Sequence, residues 1–283
     1  MKKKIIILII ILLNCNISKS KLLISEFVTN STGDWVELFY QNTEKTSIDI
    51  SQLYVTMYYG TNEKLSDSPV TMYSYNRPET SYDDRYVVIH LSAPGMIDET
   101  DYTGDTNQNG FIDVYCNNYY ASLWNTDGVV AIDSDDEPSN GGIIDFVAYS
   151  NNDGSLNEII YAYIKHAQQN NQWAQCEKNE ILENIINIGT TGLETYMSLS
   201  RINYNDTNQH NDFAITKIQT PGRKNIISNK SKINSLFTIK NKKITIIPQS
   251  INYNKAEIKL FIHGLCNIKL RIFTSIGRCI YTS

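Results

Sequence analysis

The strongest constraint on this chain is a series of short apolar segments with two-residue alternation, separated by clusters of Asn, Asp, Gly and Ser. Leu22–Thr29 and Trp35–Tyr40 flank the turn sequence NSTGD at residues 30–34. In the second of these segments Trp35, Glu37 and Phe39 fall on one face and Val36, Leu38 and Tyr40 on the other, the period expected of a strand. Ile48–Tyr59, Tyr86–Leu91, Gly128–Asp133, Ile143–Tyr149, Met197–Ile202 and Phe213–Ile218 continue the β-rich character. Many short strands with polar connections predict an all-β sandwich. One region departs from this. Ser155 and Glu158 form an S-x-x-E capping box, and Leu156, Ile160, Tyr163 and Ala167 follow at helical spacing. That spacing predicts a short helical insertion over about 156–169. A second short helix is expected over Glu180–Ile188, stopped by Gly189. Both are expected to cover one end or edge of the sandwich.

The charge pattern divides the chain. Residues 21–225 hold 11 basic and 29 acidic side chains, whereas residues 226–283 hold 10 basic ones and a single acid, Glu257. The shift marks a boundary between a body of 21–225 and a basic C-terminal β segment of 226–283. An acidic body repels phosphates, which argues against a nucleic-acid ligand. Ahead of the body, Lys2, Lys3 and Lys4 precede an apolar run, Ile5–Leu13. That run is too short to span a bilayer and reads as the core of a signal peptide covering residues 1–20. Ser18 and Ser20 are the small residues expected before a cut at Lys21. Cys15, directly after the run, offers a lipoprotein alternative, and with it membrane attachment through lipidation, although Asn14 is unusual before such a cysteine. The expected location is extracellular, at the cell surface or in the periplasm.

An exported chain meets oxidising conditions, so its remaining cysteines can form disulfides. Four cysteines allow three pairings. The boundary at residue 225 favours Cys116–Cys176 and Cys266–Cys279, with free buried thiols as the alternative.

In order along the body, several segments resemble a lamin tail domain. LLISEFV and GDWVELFYQN supply Ile24, Glu26, Trp35, Val36, Glu37, Leu38 and Asn42. IDISQLYVT resembles the strand that follows, with Tyr54 at its aromatic position, and WNTDGVVAID with GGIIDFVAYS resembles the later strand pair. MSLSRIN, NDFA and TPGRKN match the closing elements through Ser200, Arg201, Asp212, Phe213, Thr220, Pro221, Gly222 and Asn225. Insertions around 60–84, 95–120 and 151–195 lengthen this copy. The resemblance implies an Ig-like β-sandwich and a non-enzymatic binding or structural module. The tail phrase LRIFTSIGRCIY, through Leu270, Ile272, Phe273, Gly277, Arg278 and Ile280, resembles about half of a hook-capping-type Ig-like module, or of a type IX secretion sorting domain.

The candidate site is DTNQNGFID. Asp105, Asn107 and Asn109 stand at positions 1, 3 and 5 of an EF-hand-type calcium loop, Gly110 at the turn, the Phe111 carbonyl at 7 and Asp113 at 9. Position 12 is Cys116, so Asp101 or a distant acid is needed in its place. A second acidic run, with Asp133, Asp135, Asp136 and Glu137, reads as a solvated loop able to bind a cation. His90, His166, His210 and His263 form no metal-ligand motif, and no nucleophile elbow or phosphate-binding loop is present. The sequence therefore predicts an exported, non-catalytic module, stabilised by calcium, that binds a protein or an envelope component. A secreted hydrolase with a carboxylate or metal site in a sandwich cleft is the alternative.

Overall fold

A computed structural model describes residues 21–29, 33–41, 44–57, 61–117 and 122–227, together with strands at 237–239, 242–248, 258–262, 271–273 and 279–282. The body runs β1 (Lys21–Val28), β2 (Trp35–Gln41), β3 (Ser47–Asp49), β4 (Tyr54–Met57), β5 (Thr61–Lys64), β6 (Thr71–Tyr73), β7 (Tyr86–His90), β8 (Ile112–Tyr115), β9 (Gly128–Asp133), β10 (Ile143–Ser150), helix α1 (Glu158–Gln169), β11 (Ile186–Asn187), β12 (Ser198–Arg201) and β13 (Phe213–Thr216). Two sheets dominate. The first has the order β13-β12-β1-β2-β7-β8 and the second β11-β10-β9-β4-β5. Pairing is antiparallel except where β8 joins β7 and β11 joins β10 at the sheet edges.

The sheets pack face to face as an all-β, sandwich-like fold. Leu22, Ile24, Phe27, Val36 and Leu38 of the first meet Val55, Met57, Val130, Ile132 and Val147 of the second in one buried cluster. The alternation predicted for β2 is observed. Val36, Leu38 and Tyr40 enter this core, whereas Trp35 and Phe39 join a second cluster with Val28, Tyr86, Val88 and Phe111 on the outer face of the first sheet. In β1 the register against β2 shifts between Ile24 and Glu26. The extra residue resets the alternation, so Ile24 and Phe27, three apart, both face the core.

Helix α1 lies where a helix is predicted but is capped differently. Asn157 is its N-cap and accepts the Ile159 N–H at 2.9 Å, while the Ser155 hydroxyl bonds Asp153. Its buried stripe is Ile160, Ile164 and Ala167, with Tyr163 half-buried. The helix covers a sheet face, not an end or edge: the stripe packs on Val129, Ala131, Phe146 and Ala148 of β9 and β10, with Trp173 alongside. This third layer explains why Ile143–Ser150 is a nearly continuous apolar run, since β10 is buried on both faces.

Within the β-rich stretch Ile48–Tyr59 the backbone turns at Ser51–Gln52, between β3 and β4, and the region around 95–120 contains β8, an edge strand. Two further expectations need correction. The second helix is a 3-10 turn, Lys178–Glu183, followed by β11. Cys116 and Cys176 are both free thiols, for Cys116 lies in the core between the sheets and Cys176 packs against the cluster beneath α1. The pair Cys266–Cys279 and the signal segment 1–20 lie outside the residues described to side-chain level.

In the C-terminal segment β14 (Phe237–Ile239), β15 (Lys242–Pro248) and β16 (Ile258–Ile262) form one antiparallel sheet. A second pairs β17 (Arg271–Phe273) with β18 (Cys279–Thr282). Among the described residues, these strands pair with one another and not with the body. The β-character predicted over Ala256–Ile262 and Ile268–Phe273 is present in the described parts of both.

Because Ile164 is fully buried between α1 and the second sheet, Ile164→Ala is expected to cost about 2–5 kcal/mol in urea unfolding. A loss below about 1 kcal/mol would mean that the helix is not an integral layer.

Candidate functional site

The bulge in β1 is the starting point for the buried polar chemistry. Just before it, the N–H and C=O of Ile24, a residue still in register with Leu38 of β2, are both bonded by side chains. Ile24 N–H donates to Asp145 Oδ2 at 2.5 Å, and Ile24 C=O accepts from Arg201 Nε at 2.9 Å. Arg201 Nη2 donates to the same Asp145 oxygen at 2.6 Å, closing a buried ring of β1, β10 and β12. Arg201 is 1% exposed, also reaches Asp206 at 3.2 Å, and stacks on Phe213. Burial opposes ionisation of Asp206, but Arg201, the Asn208 N–H and Lys21 together hold its carboxyl below the usual value.

Beside this ring, Glu26 of β1 and Glu37 of β2 are cross-strand partners, and neither is exposed to solvent. Glu26 accepts from the hydroxyls of Ser198, Ser200 and Thr220 and from the Thr220 N–H at 2.9 Å. Glu37 Oε2 accepts the Gly222 N–H at 2.5 Å, whereas Glu37 Oε1 has no partner at hydrogen-bond distance. Asn225 completes the closure by donating to the carbonyls of Ser25 and Arg201 at 2.8 and 3.0 Å. Gly222 has φ +74°, and a Cβ there would stand 2.2 Å from the Phe111 ring. Only glycine fits both the turn and that approach. The segments singled out in the sequence, I-x-E, W-V-E-L, S-x-x-R and T-P-G, thus supply one contiguous buried network in which the end of the body is fastened to its first two strands.

The 105–113 loop brings all five predicted ligand residues together. Asp105 accepts the N–H groups of Asn109 and Gly110 at 3.1 and 2.9 Å. Asn107 and Asn109 accept backbone N–H groups through Oδ1, and each donates Nδ2 to Asp113 Oδ2 at 2.7 Å. Asp113 Oδ1 meets His90 Nε2 at 2.5 Å, and the His90 ring stacks on Tyr115. The side chain of Phe111 is buried against Gly222, leaving its carbonyl as the group with a predicted role. Cys116, at position 12, is in the core. Asp101 does not substitute for it, because its carboxylate binds the N–H and hydroxyl of Thr71. The acid that sequence reasoning missed is Glu99. Its Oε1 accepts from Thr106 and Asn107, and its Oε2 accepts the Asp113 N–H at 3.0 Å. Asp98-Glu99 precede the motif, so no spacing rule within DTNQNGFID points to them.

As arranged, this loop is held by its own hydrogen bonds. Among the described residues, no group of three or more His, Cys, Asp or Glu side chains stands in a metal-ligating arrangement. Calcium binding would require Asn107 and Asn109 to turn their oxygens inward. The second acidic run is a turn: Asp133 accepts the Asp135 N–H and Asp135 accepts the Glu137 N–H, each at 2.9 Å. Comparison of the chain with protein-family models, curated proteins and solved structures finds no match.

Two outcomes follow from this geometry. Asp206 has a lowered folded-state pKa, so its contribution is present above the unfolded value and is lost as pH falls. Asp206→Asn is therefore expected to flatten the acid limb of the stability–pH profile below about pH 4, read by urea midpoints. Gly222→Ala is expected to cost about 1–3 kcal/mol; an unchanged midpoint would contradict the tight Phe111 approach.

Proposed function

We propose that this chain is an exported, non-catalytic binding or structural module of the cell envelope or extracellular space, of the lamin-tail-like type. The observation that carries the reading is the use made of its polar motif residues. Glu26, Glu37, Arg201, Thr220, Gly222 and Asn225 are joined to each other, to backbone or to neighbouring strands, which is a closure role and not a reactive one. Buried carboxylates used in this way join segments that are distant in sequence. The basic n-region and apolar run at residues 2–13 support export.

The test is intact mass and location of the native protein. The reading expects a chain beginning at Lys21 outside the cytoplasm, or a lipid-sized increment at Cys15 if the lipoprotein route is taken. Full-length protein starting at Met1 in the cytoplasm would contradict it, as would a turnover abolished by substituting one exposed carboxylate.

Calcium stabilisation of the 105–113 loop belongs to the same reading, supported by the Asp, Asn and carbonyl oxygens there and by Glu99 behind them. Calcium at about a hundredfold over its Kd is expected to add about 2.7 kcal/mol of stability. Asp105→Ala should remove that increment. Equal melting curves with calcium and with chelator would rule the ion out.

A further inference from the structure

Two glutamates buried side by side on adjacent strands are an expensive arrangement, and their partners are unequal. Glu26 is met by three hydroxyls and one N–H, which favour its ionised form and offset part of the burial that raises its carboxyl. Glu37 receives one N–H on Oε2, with the Ser25 hydroxyl as its other polar neighbour, and its Oε1 has no partner at hydrogen-bond distance. The groups facing Glu37 do not supply a compensating cation. From β1 come Glu26 and Ser25, and from the approach to β7 come Asp83 and Tyr86. Tyr204 faces it from the loop after β12. Arg85, the nearby cation, is engaged by Asp83 through two contacts at 2.8 and 2.6 Å. Arg223 and Lys224, on the closing turn itself, are exposed.

We propose that the Glu26–Glu37 pair is a proton-dependent clasp on the turn that leads from the body into the basic C-terminal segment. With one proton on Glu37 the pair carries a single negative charge, and Thr220 and Gly222 are held on β1 and β2. When Glu37 loses that proton to water, two carboxylates oppose each other in a dry site. The charge is relieved by lifting the 219–225 turn and admitting solvent. The direction agrees with burial and the neighbouring Glu26, which push the Glu37 carboxyl well above its usual range. A raised folded-state pKa means that the closed form is favoured below the unfolded value and weakens as pH rises. The device differs from the Asp206 contribution, which is lost toward acid. The two together predict a stability maximum between them.

The experiment is amide hydrogen exchange on the full chain from about pH 5 to about pH 9, following the N–H groups of Thr220 and Gly222. After correction for intrinsic exchange, protection is expected to fall up to about tenfold per pH unit through the transition. Glu37→Gln, which cannot ionise, should give a flat profile. Flat protection in the unaltered chain, or an unchanged pH dependence in Glu37→Gln, would overturn the proposal. Should Glu37→Gln fail to fold, infrared spectroscopy of the unaltered chain decides. A protonated carboxyl band at neutral pH, disappearing in step with Gly222 protection, is expected. Absence of that band would overturn the clasp.

Discussion

The structure depends on one buried ion pair. Arg201 and Asp145 come from different sheets, yet they meet at 2.6 Å around the buried N–H and C=O of Ile24. Without the pair, its N–H and C=O would be buried and unbonded, a cost comparable to losing two hydrogen bonds. The ring therefore ties β10 to β1 and β12 of the first sheet in one arrangement. A buried pair of this sort does little for net stability compared with apolar packing, but removing one partner strands the other charge.

Around this ring the buried carboxylates differ in the donors they receive. Asp145 has the guanidinium and a peptide N–H, Glu26 has three hydroxyls and a peptide N–H, and Glu37 has a peptide N–H with the Ser25 hydroxyl beside it. Burial raises all three carboxyls, Asp145 to about 6 despite Arg201, Glu26 above its usual value despite its donors, and Glu37 well above the usual carboxylate range. These buried acids have a common use. They act as acceptors for backbone and hydroxyl groups from segments distant in sequence, and so hold together parts of the chain that hydrophobic burial alone would leave free to slide. Phe111 links this interior to the Asx-rich loop, since its ring lies under Gly222 while its neighbours Asp105 to Asp113 form the turn outside.

Much of this was legible in the sequence. The face alternation of β2 and the helix near 158–169 follow from local pattern and residue type. What was not legible depends on pairing between distant residues. The bulge at Ile24 has no local marker. β5, β6, β8 and β11 are too short for a period to show. Glu99 is selected by the fold of its loop, not by spacing within the motif. The pairing of Cys116 with Cys176 failed because the second sheet stands between their two clusters. A charge boundary is no guide to such layering.

The measurement that tests the central claim most directly is a double-mutant cycle between Arg201 and Asp145, using Arg201→Met, Asp145→Leu and the pair together, read by urea unfolding. The account predicts that each single change costs about 3–5 kcal/mol and that the double change costs clearly less than their sum. Additive losses, or single losses below about 1 kcal/mol, would show that the buried N–H and C=O of Ile24 do not rely on this pair.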